Sequence, residues 1–348
     1  MVPFESPGDL LLQDYAASLG KEDTFTRTPV ATFFGTPGET VVDPYFDGEG
    51  PDRTGCTRCG ACMVGCRVGA KNTLLKNYLW FAEKAGAEVM ADQMVTDIQP
   101  LGASDGSDGY TVRTRRPGIF PGRSREITAK GIVVSAGALG TNRLLANCKH
   151  NGSLANISDR LGELVRTNSE SILAVTMPDD SHKLWNSVAI SSSIHTDQDT
   201  HIEVVTYGQK GDSMRYLFTL LTGPGTRWTR VFSLLGNAVR HPLDFAKTLW
   251  PFGWSRRTIA LLVMQSLDNA ISFRAKKRWF SRKVRLSTEQ NPDMPNPTYI
   301  EAGNKAAEWI ANETGGLAQS MFLEAAANIP TTAHILGGVT IGRDAEHG

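Results

Sequence analysis

This chain of 348 residues lacks the sequence features that are typical of several large protein classes. No apolar run approaches the roughly 20 residues that a helix needs to cross a bilayer. The longest, at residues 259–264, has only the length of a strand. The 36 basic and 36 acidic side chains cancel, so the chain lacks the positive excess of nucleic-acid-binding proteins. We therefore predict a protein with no transmembrane segment and no nucleic-acid partner.

The first residues also lack a secretory signal, because no basic start is followed by an apolar core. This predicts a soluble, cytoplasmic protein with reduced cysteines, and leaves peripheral attachment to a membrane surface open. One local basic cluster, at residues 274–285, holds seven lysines and arginines beside aromatic residues. A solvated strand face explains that cluster more simply than a membrane or polyanion patch does.

No GxGxxG motif, which binds the pyrophosphate of a dinucleotide, occurs anywhere in the chain. The nearest feature is a predicted buried strand at residues 131–135, followed by a turn with Gly137 and Gly140 that leads into a helix through Cys148. The amides of such a helix could face a phosphate or a ring edge. The turn could equally do no more than pack the strand against the helix, and the GxxG spacing leaves both interpretations open.

Cysteine is scarce, yet four of the five cysteines lie within eleven residues, at Cys56, Cys59, Cys62 and Cys66. Their spacing, C-x2-C-x2-C-x3-C, is that of the iron–sulfur run in bacterial ferredoxins. Here no proline follows the fourth cysteine and no second cysteine run exists. Zinc is less favoured, because zinc ligands usually come as two separated pairs. A [4Fe–4S] cluster, a zinc ion, free thiols and disulfides all stay open at this stage.

Periodicity predicts a mixed α/β fold. Residues 1–55 are rich in proline and glycine and mostly extended, with one short helix. Residues 72–86 predict a helix in which Leu75, Tyr78, Leu79 and Ala82 share one face and which Gly86 ends. Three strands follow, and the predicted ranges are residues 88–98, 110–115 and 125–128.

From about residue 171 the pattern changes to short runs with a period of two, which predict an antiparallel sheet. Two helical regions interrupt these runs. One is at residues 227–250, broken near Pro242, and the other is at residues 302–313, where Gly315 and Gly316 stop the helix. The predicted strands are residues 172–176, 188–193, 201–207, 216–222, 259–264, 270–274 and 284–287.

Five blocks of sequence, in this order, resemble one known family. They are the cysteine run at residues 56–66, GAKNTL at 69–74, SAGALGT at 135–141, LGELVRTNSES at 161–171 and AHILGG at 333–338. Together they resemble the glucose–methanol–choline (GMC) flavin oxidoreductases. Within that family they are most similar to the mycobacterial type of sterol oxidase, which has the same cysteine-rich turn before GAKNTL. The resemblance covers essentially the whole chain.

The resemblance implies a part of a GMC-type FAD-binding domain combined with a substrate domain built on an antiparallel sheet. Residues 1–170 would form a partial FAD-binding domain without its GxGxxG unit. Residues 171–330 would bind substrate. Residues 331–348 would return to the FAD-binding domain, and this last part of the domain would be truncated. The chain is thus expected to be an interior piece of a longer enzyme. Without the rest of that enzyme, this piece is expected to bind FAD weakly or not at all.

The resemblance also implies site residues. His334 matches the family's histidine that orients or deprotonates the substrate hydroxyl, and Gly337 and Gly338 would let the backbone approach the flavin ring. The other cofactor-binding residues that it implies are Val95, Gly137, Gly140 and Asn168.

The implied reaction is the FAD-dependent oxidation of an alcohol, the 3β-hydroxyl of cholesterol or a related sterol, to the ketone with molecular oxygen as acceptor. One alternative is a flavin dehydrogenase whose iron–sulfur cluster passes electrons to a carrier protein. Another is a catalytically incomplete truncated product. The glutamate that serves as base for steroid isomerisation has no clear counterpart, and Gln265 and Asp268 are the only polar candidates near its place.

Overall fold

The computed structural model describes residues 1–118, 122–277, 284–344 and 346–348, and they combine helices with antiparallel strands. The α-helices are α1 Pro7–Ser18, α2 Tyr78–Lys84, α3 Gly137–Asn151, α4 Arg227–Arg240, α5 Pro242–Leu249, α6 Trp254–Arg257, α7 Glu301–Thr314 and α8 Phe322–Ala327. Short 3₁₀ turns occur at Glu22–Thr24, Ala61–Met63, Leu74–Lys76 and Asp212–Leu217.

The strands are short, and the predicted mixed α/β class with antiparallel sheets is confirmed. They are β1 Thr26–Arg27, β2 Thr40–Val41, β3 Arg53–Thr54, β4 Met94–Pro100, β5 Tyr110–Arg115, β6 Ser124–Ala129, β7 Val165–Arg166, β8 Ser171–Thr176, β9 Ile190–His195, β10 Thr200–Val205, β11 Phe218–Leu220, β12 Thr258–Gln265, β13 Ile271–Lys277, β14 Val284–Gln290, β15 Leu317–Met321 and β16 Leu336–Gly337.

Contacts divide the chain into two compact units. Unit 1 comprises Met1–Ala87, Ser169–Leu267 and Pro297–Thr332, and unit 2 comprises Glu88–Asn168, Asp268–Asn296 and Ala333–Gly348. The boundaries of these units differ from those of the predicted domains at residues 1–170, 171–330 and 331–348. The cofactor-binding and substrate-binding roles of the predicted domains stay predictions. The middle of the basic cluster, residues 278–283, lies outside the described residues.

Unit 1 is built on a seven-stranded sheet in the order β1-β9-β10-β12-β8-β15-β11, with every neighbouring pair antiparallel. Side chains alternate between its two faces, as a period of two requires. One face packs with helices α1 and α7 in a core that includes Leu12, Leu173, Val175, Ile259, Leu261 and Ile310. The opposite face forms a second core with Ala174, Tyr207, Phe218, Trp254, Ala260 and Leu262.

Local sequence signals explain where several helices of unit 1 begin and end. Ser6 and Asp9 cap the first turn of α1 reciprocally, with Pro7 in the first turn. Pro242 separates α4 from α5, because proline has no N–H to donate within a helix and its ring clashes with the preceding turn. Gly315, with φ at 62°, ends α7 in the left-handed conformation that glycine adopts at no steric cost. The predicted break near Pro242 and the stop at Gly315 are therefore confirmed.

Unit 2 contains two smaller antiparallel sheets, β4-β5-β6 and β14-β13-β7-β16, together with helix α3. A small core lies on the second sheet, where Val165, Ile271 and Phe273 are buried and Leu286 and Ile335 pack against them. No helix among the described residues of the chain is both long and apolar enough to cross a membrane.

Two predicted elements are wrong. Residues 131–135 form no strand, and Val133 is 90% exposed, because no described strand hydrogen-bonds to this segment and an unpaired apolar run gains nothing from an extended conformation. Residues 72–86 are a 3₁₀ turn followed by the short α2, with Asn77 at φ −148° and ψ −107° breaking the helix between them. Leu75 and Tyr78, which were expected to share one face of that helix, are exposed, at 69% and 81%.

Candidate active site

A short antiparallel ladder in unit 2 brings two polar side chains together. Strand β7 pairs with β16 so that Leu336 lies opposite Arg166 and Gly337 opposite Val165. Continued by two residues, the same register sets Asn168 opposite His334. The Asn168 Nδ2 atom lies 2.9 Å from His334 Nδ1, within hydrogen-bonding distance. The pairing of two short strands therefore fixes which residue holds the histidine.

This hydrogen bond determines what the imidazole ring can offer. An amide nitrogen can only donate, so in this arrangement His334 Nδ1 accepts and the neutral ring carries its proton on Nε2. Turning the Asn168 amide over would bring its oxygen to Nδ1, which would then carry the proton and leave Nε2 as the acceptor. His334 is exposed, so its ring is accessible to a small molecule. The pair can act as a hydrogen-bond donor or as a base, depending on the orientation of one amide.

Gly337 and Gly338, three and four residues after the histidine, both have left-handed backbones, with φ at 89° and 80°. A Cβ atom at Gly337 would lie 2.3 Å from the carbonyl oxygen of Leu164, and one at Gly338 would lie 2.5 Å from the side chain of Asn142. The Gly338 carbonyl accepts a hydrogen bond from the Gly162 N–H at 2.7 Å. Only glycine fits here, because both the torsion and the space exclude a side chain.

Asn142 is a residue that the sequence analysis did not identify. It is 1% exposed, and its Nδ2 atom donates to the Ala138 carbonyl at 2.7 Å and to the Gly337 carbonyl at 3.2 Å. Its Oδ1 atom is buried and has no hydrogen-bond partner among the described residues. Asn142 thus connects α3 to the glycine turn. The available signal was a polar side chain four residues before Ala146 on the buried face of a helix.

The other predicted cofactor-binding residues lie at the two ends of α3. Gly137 begins the helix with φ at 69°, and a Cβ atom there would meet nothing within 4 Å. Gly140 completes this first turn, whose N–H groups have no helical partner. Val95 lies on β4, which the hydrogen bond from Ser153 Oγ to Asp97 Oδ1, at 2.5 Å, ties to the segment after α3. No described contact joins Val95 to His334.

In unit 1, the cysteines of the 56–66 run line one small cavity of about 10 Å³, and all five cysteines of the chain are free thiols. Such a cavity holds about one water molecule, far less than a four-iron cluster needs. Among the described residues, no group of three or more His, Cys, Asp or Glu side chains could hold a metal ion. The structure therefore gives no support to the predicted iron–sulfur or zinc site at Cys56, Cys59, Cys62 and Cys66.

The thiols in that cavity differ in acidity. Burial raises the pKa of Cys56 and of Cys62. Burial acts on Cys66 in the same direction, but the surrounding backbone N–H groups, led by that of Lys71, outweigh it and lower the pKa of this thiol. The Lys71 N–H lies 3.4 Å from the Cys66 sulfur. Cys66 is thus the cysteine of this loop best suited to exist as a thiolate.

Residues 50–155 match the GMC oxidoreductase family. The chain is also 41% identical, over 98% of its length, to a cholesterol oxidase of Acinetobacter baumannii, and 45% identical, over 99% of its length, to a cholesterol oxidase of Mycobacterium tuberculosis. This chain is therefore similar to the GMC oxidoreductase family. It spans 62% and 61% of the length of these two relatives.

FAD is the cofactor that the match to the GMC family implies, and the residues of unit 2 fit a part of it. The open space at Gly137 and the N–H groups of the first turn of α3 suit a phosphate or a ring edge. Gly337 and Gly338 present backbone without side chains, which suits close approach to a flat ring. The GxGxxG motif for the pyrophosphate has no counterpart in the sequence.

The two candidates for an isomerisation base are poorly suited to that role. Asp268 is 83% exposed, and its Oδ1 atom accepts a hydrogen bond from Arg166 Nη1 at 2.6 Å. Gln265 has no titratable group, and its Nε2 atom donates to Thr200 Oγ1 at 3.1 Å.

Substitution of Gly337 by alanine is expected to lower the free energy of unfolding by about 2–3 kcal/mol, because the new Cβ atom would collide with the Leu164 carbonyl at a left-handed position. Gly137→Ala is the matched control, since it has a similar φ but open space, and should cost only about 1 kcal/mol. Denaturant unfolding monitored by circular dichroism measures both. Equal losses would show that the close approach at Gly337 contributes nothing.

Proposed function

We propose that this chain is the part of a FAD-dependent GMC oxidoreductase that oxidises a sterol, converting its 3β-hydroxyl group to a ketone with molecular oxygen as electron acceptor. The observation that carries the proposal is the pairing of His334 with Asn168 at 2.9 Å, beside the side-chain-free turn at Gly337 and Gly338. The choice of a sterol is supported by the two relatives, both of which are cholesterol oxidases.

Oxidation of a secondary alcohol removes a proton from oxygen and a hydride from carbon. FAD, when bound, supplies the hydride acceptor. The protein must orient the hydroxyl group and provide a place for its proton, and an imidazole ring can do both. We assign this role to His334. With Nε2 protonated, the ring donates to the alcohol oxygen and holds it in place, and with Nε2 unprotonated, it accepts the hydroxyl proton.

Asn168 is assigned the role of a positioning residue. Its amide fixes the His334 ring through Nδ1, so that the second ring nitrogen is the one presented to substrate. Asn142 acts on the histidine indirectly, because its hydrogen bond to the Gly337 carbonyl holds the turn that follows His334. In this scheme, loss of either asparagine affects the orientation of the ring and not its ability to take up a proton.

The proposal is tested by anaerobic reduction of FAD. The chain is mixed with excess FAD and then with cholesterol, its 3α-epimer or a short primary alcohol, and flavin absorbance is followed. We expect cholesterol to bleach the flavin and the 3α-epimer to bleach it far more slowly, since the reacting C–H bond of the epimer points the other way. Readmission of oxygen should restore the absorbance. Failure of every alcohol to reduce the flavin, in a sample in which fluorescence titration shows that FAD is bound, would contradict the proposal.

The alternative of electron transfer through an iron–sulfur cluster has a separate readout. Protein purified without oxygen would then contain iron and show a broad absorption that Cys59→Ser abolishes. It would also reduce an artificial electron carrier faster than oxygen. No described feature of the cysteine cavity favours this outcome.

A further inference from the structure

The small cavity that the cysteines of the 56–66 run line, which we call the cysteine cavity, also contains a buried hydroxyl group. Ser187 is 2% exposed and lines the same cavity. Its Oγ atom is buried and has no hydrogen-bond partner among the described residues. A buried hydroxyl group without a partner costs free energy, so its presence in a native fold calls for an explanation. A small polar molecule in the cavity would satisfy it.

The size of the cysteine cavity limits what that molecule can be. Its volume of about 10 Å³ is the room that one water molecule needs. The polar residues Thr32, Thr57 and Lys71 complete the lining. Lys71 Nζ donates to the Cys62 carbonyl at 3.4 Å, which keeps a cation beside the thiols. The cavity therefore suits water or hydrogen peroxide, which is as narrow as water and longer by one oxygen atom.

Of the four thiols in the cavity, that of Cys66 has the surroundings of a nucleophile. The Lys71 N–H lies 3.4 Å from the Cys66 sulfur. The N–H groups of the three residues before Lys71, which are Val68, Gly69 and Ala70, also hydrogen-bond to this sulfur. Successive N–H groups in a turn form a concavity that binds anions. They stabilise the thiolate, which is the form of cysteine that attacks an oxidant.

Cys62 is placed to complete a disulfide with Cys66. The two cysteines are four positions apart and pack against the same buried cluster, which contains Cys56 and Ala70. Between them, Gly65 has φ at 111°, and a Cβ atom there would meet nothing within 4 Å. Glycine leaves this turn free to adjust its torsions, as formation of a sulfur–sulfur bond requires. Burial raises the pKa of Cys62, and among the other thiols Cys66 adds the largest further increase, as expected of a close neighbour.

We propose that hydrogen peroxide enters the cysteine cavity and oxidises Cys66 to a sulfenic acid, which Cys62 then converts to a disulfide. In the first step the Cys66 thiolate attacks one peroxide oxygen, so that an S–O bond forms and the O–O bond breaks. The other oxygen leaves as hydroxide and takes up a proton to become water, and Ser187 Oγ donates to it as it leaves. In the second step the Cys62 thiol displaces the sulfenic hydroxyl group as a second water. Two thiols thus lose two electrons, and one peroxide is reduced to two waters.

The peroxide has a source in the proposed function. Oxidation of a sterol with molecular oxygen as electron acceptor releases one hydrogen peroxide for each hydroxyl group that is oxidised. The supply of peroxide therefore rests on the proposed function, whereas the reaction of Cys66 with peroxide does not. Cys66 would be the site at which the product of the reaction modifies the chain, and a thiol reductant would reverse the change.

The test is oxidation of the reduced chain by added hydrogen peroxide, without flavin and without sterol. We expect two of the five thiols to be lost, and mass spectrometry should identify a disulfide between Cys62 and Cys66. In the presence of dimedone, a reagent that traps sulfenic acids, Cys66 should be the first residue labelled. The labelling uses the chain without any substitution, so its result does not depend on the folding of a variant.

Variants provide the matched comparisons. Cys66→Ser should slow the loss of the first thiol at least about tenfold, because the other thiols lack its set of N–H groups. Ser187→Ala should slow it about tenfold, because the leaving oxygen loses a hydrogen bond. Thr28→Val removes another buried hydroxyl oxygen without a partner among the described residues, outside the lining of the cavity. Cys148→Ser removes a buried thiol of unit 2. These two controls should leave the rate unchanged, and circular dichroism verifies that all variants are folded.

Three results would overturn the proposal. One is an equal rate of thiol loss in the unsubstituted chain and in Cys66→Ser. Another is a disulfide or a dimedone adduct on other cysteines in place of Cys66. The third is a set of thiols that resist peroxide until a chelator releases iron or zinc, which would assign the cavity to a metal. A chain that forms the Cys62–Cys66 disulfide but oxidises no sterol would support this proposal and contradict only the proposed function.

Discussion

Replacement of His334 by alanine is expected to lower the turnover of sterol oxidation by about 10²–10⁴-fold, the range that a positioned acid or base contributes. The physical reason is that the hydroxyl proton would lose its acceptor while the hydride acceptor is unchanged. The measurement is the anaerobic rate of flavin reduction by cholesterol, with FAD in excess. Flavin affinity, measured by fluorescence titration, should change by less than about twofold, because the ring is assigned to the substrate and not to the cofactor.

Two controls distinguish a direct role from a structural one. His334→Gln keeps hydrogen-bonding atoms but cannot take up a proton, so it should lose rate with little change in substrate affinity. Asn168→Leu keeps the imidazole and removes the group that orients it, so a smaller loss, about tenfold, is expected. His182→Ala, which replaces an exposed histidine of unit 1, should leave the rate unchanged. A His334→Ala variant with nearly full activity would remove this residue from the mechanism.

The second large effect is expected in unit 1, at a buried ion pair. The Arg230 Nη2 atom donates to Glu324 Oε1 at 3.1 Å, and the two side chains are 0% and 3% exposed. The same guanidinium donates to the Thr298 carbonyl at 2.7 Å, and Ser171 Oγ donates to Glu324 Oε2 at 2.7 Å. This network connects α4 to α8 and to the central strand β8. Its groups are therefore satisfied only while all of these elements are in place.

Arg230→Met is expected to lower the free energy of unfolding by about 3–5 kcal/mol, because it leaves the Glu324 carboxylate buried without its counter-ion. The loss should be measured by denaturant unfolding at neutral pH. The double variant Arg230→Met/Glu324→Gln should recover a part of the stability, since no buried charge is then left.

An exposed pair provides the comparison. Lys305 and Glu301 lie 2.8 Å apart on α7, and both are about two-thirds exposed. Lys305→Ala should therefore cost much less stability than Arg230→Met, because water already solvates both charges of the exposed pair. If Arg230→Met were as mild as Lys305→Ala, the buried pair would not be a stabilising feature of this fold.

Much of the fold could be predicted because the signals are local. Strand β5 at Tyr110–Arg115 has the predicted bounds, and the period of two along β8, β10 and β12 predicts their alternating faces. The breaks at Pro242 and Gly315 follow from backbone torsions that these residues alone impose or permit. In each case the information lies within a few neighbouring residues.

The candidate site could be predicted less completely from local sequence signals. His334, Gly337 and Gly338 were named from a family resemblance, and their roles remain predictions. Asn142 was missed, because its importance arises from a hydrogen bond to the Gly337 carbonyl that lies 195 positions further along the chain. The spacing of the cysteine run left a cluster, a zinc ion, free thiols and disulfides open, and the size of the cavity that the four cysteines line gives a metal site no support.

The sequence by itself determined the α/β class and the antiparallel pattern of the main sheet, since these depend on residue type and periodicity. Tertiary structure alone decided which segments pair with one another. It paired Asn168 with His334 across 166 positions, and it left residues 131–135 without a neighbouring strand among the described residues. It also buried Arg230 of α4 and left Phe232 and Leu235 of the same helix exposed. Periodicity gives the relative positions of side chains on one element, whereas burial depends on what packs against that element.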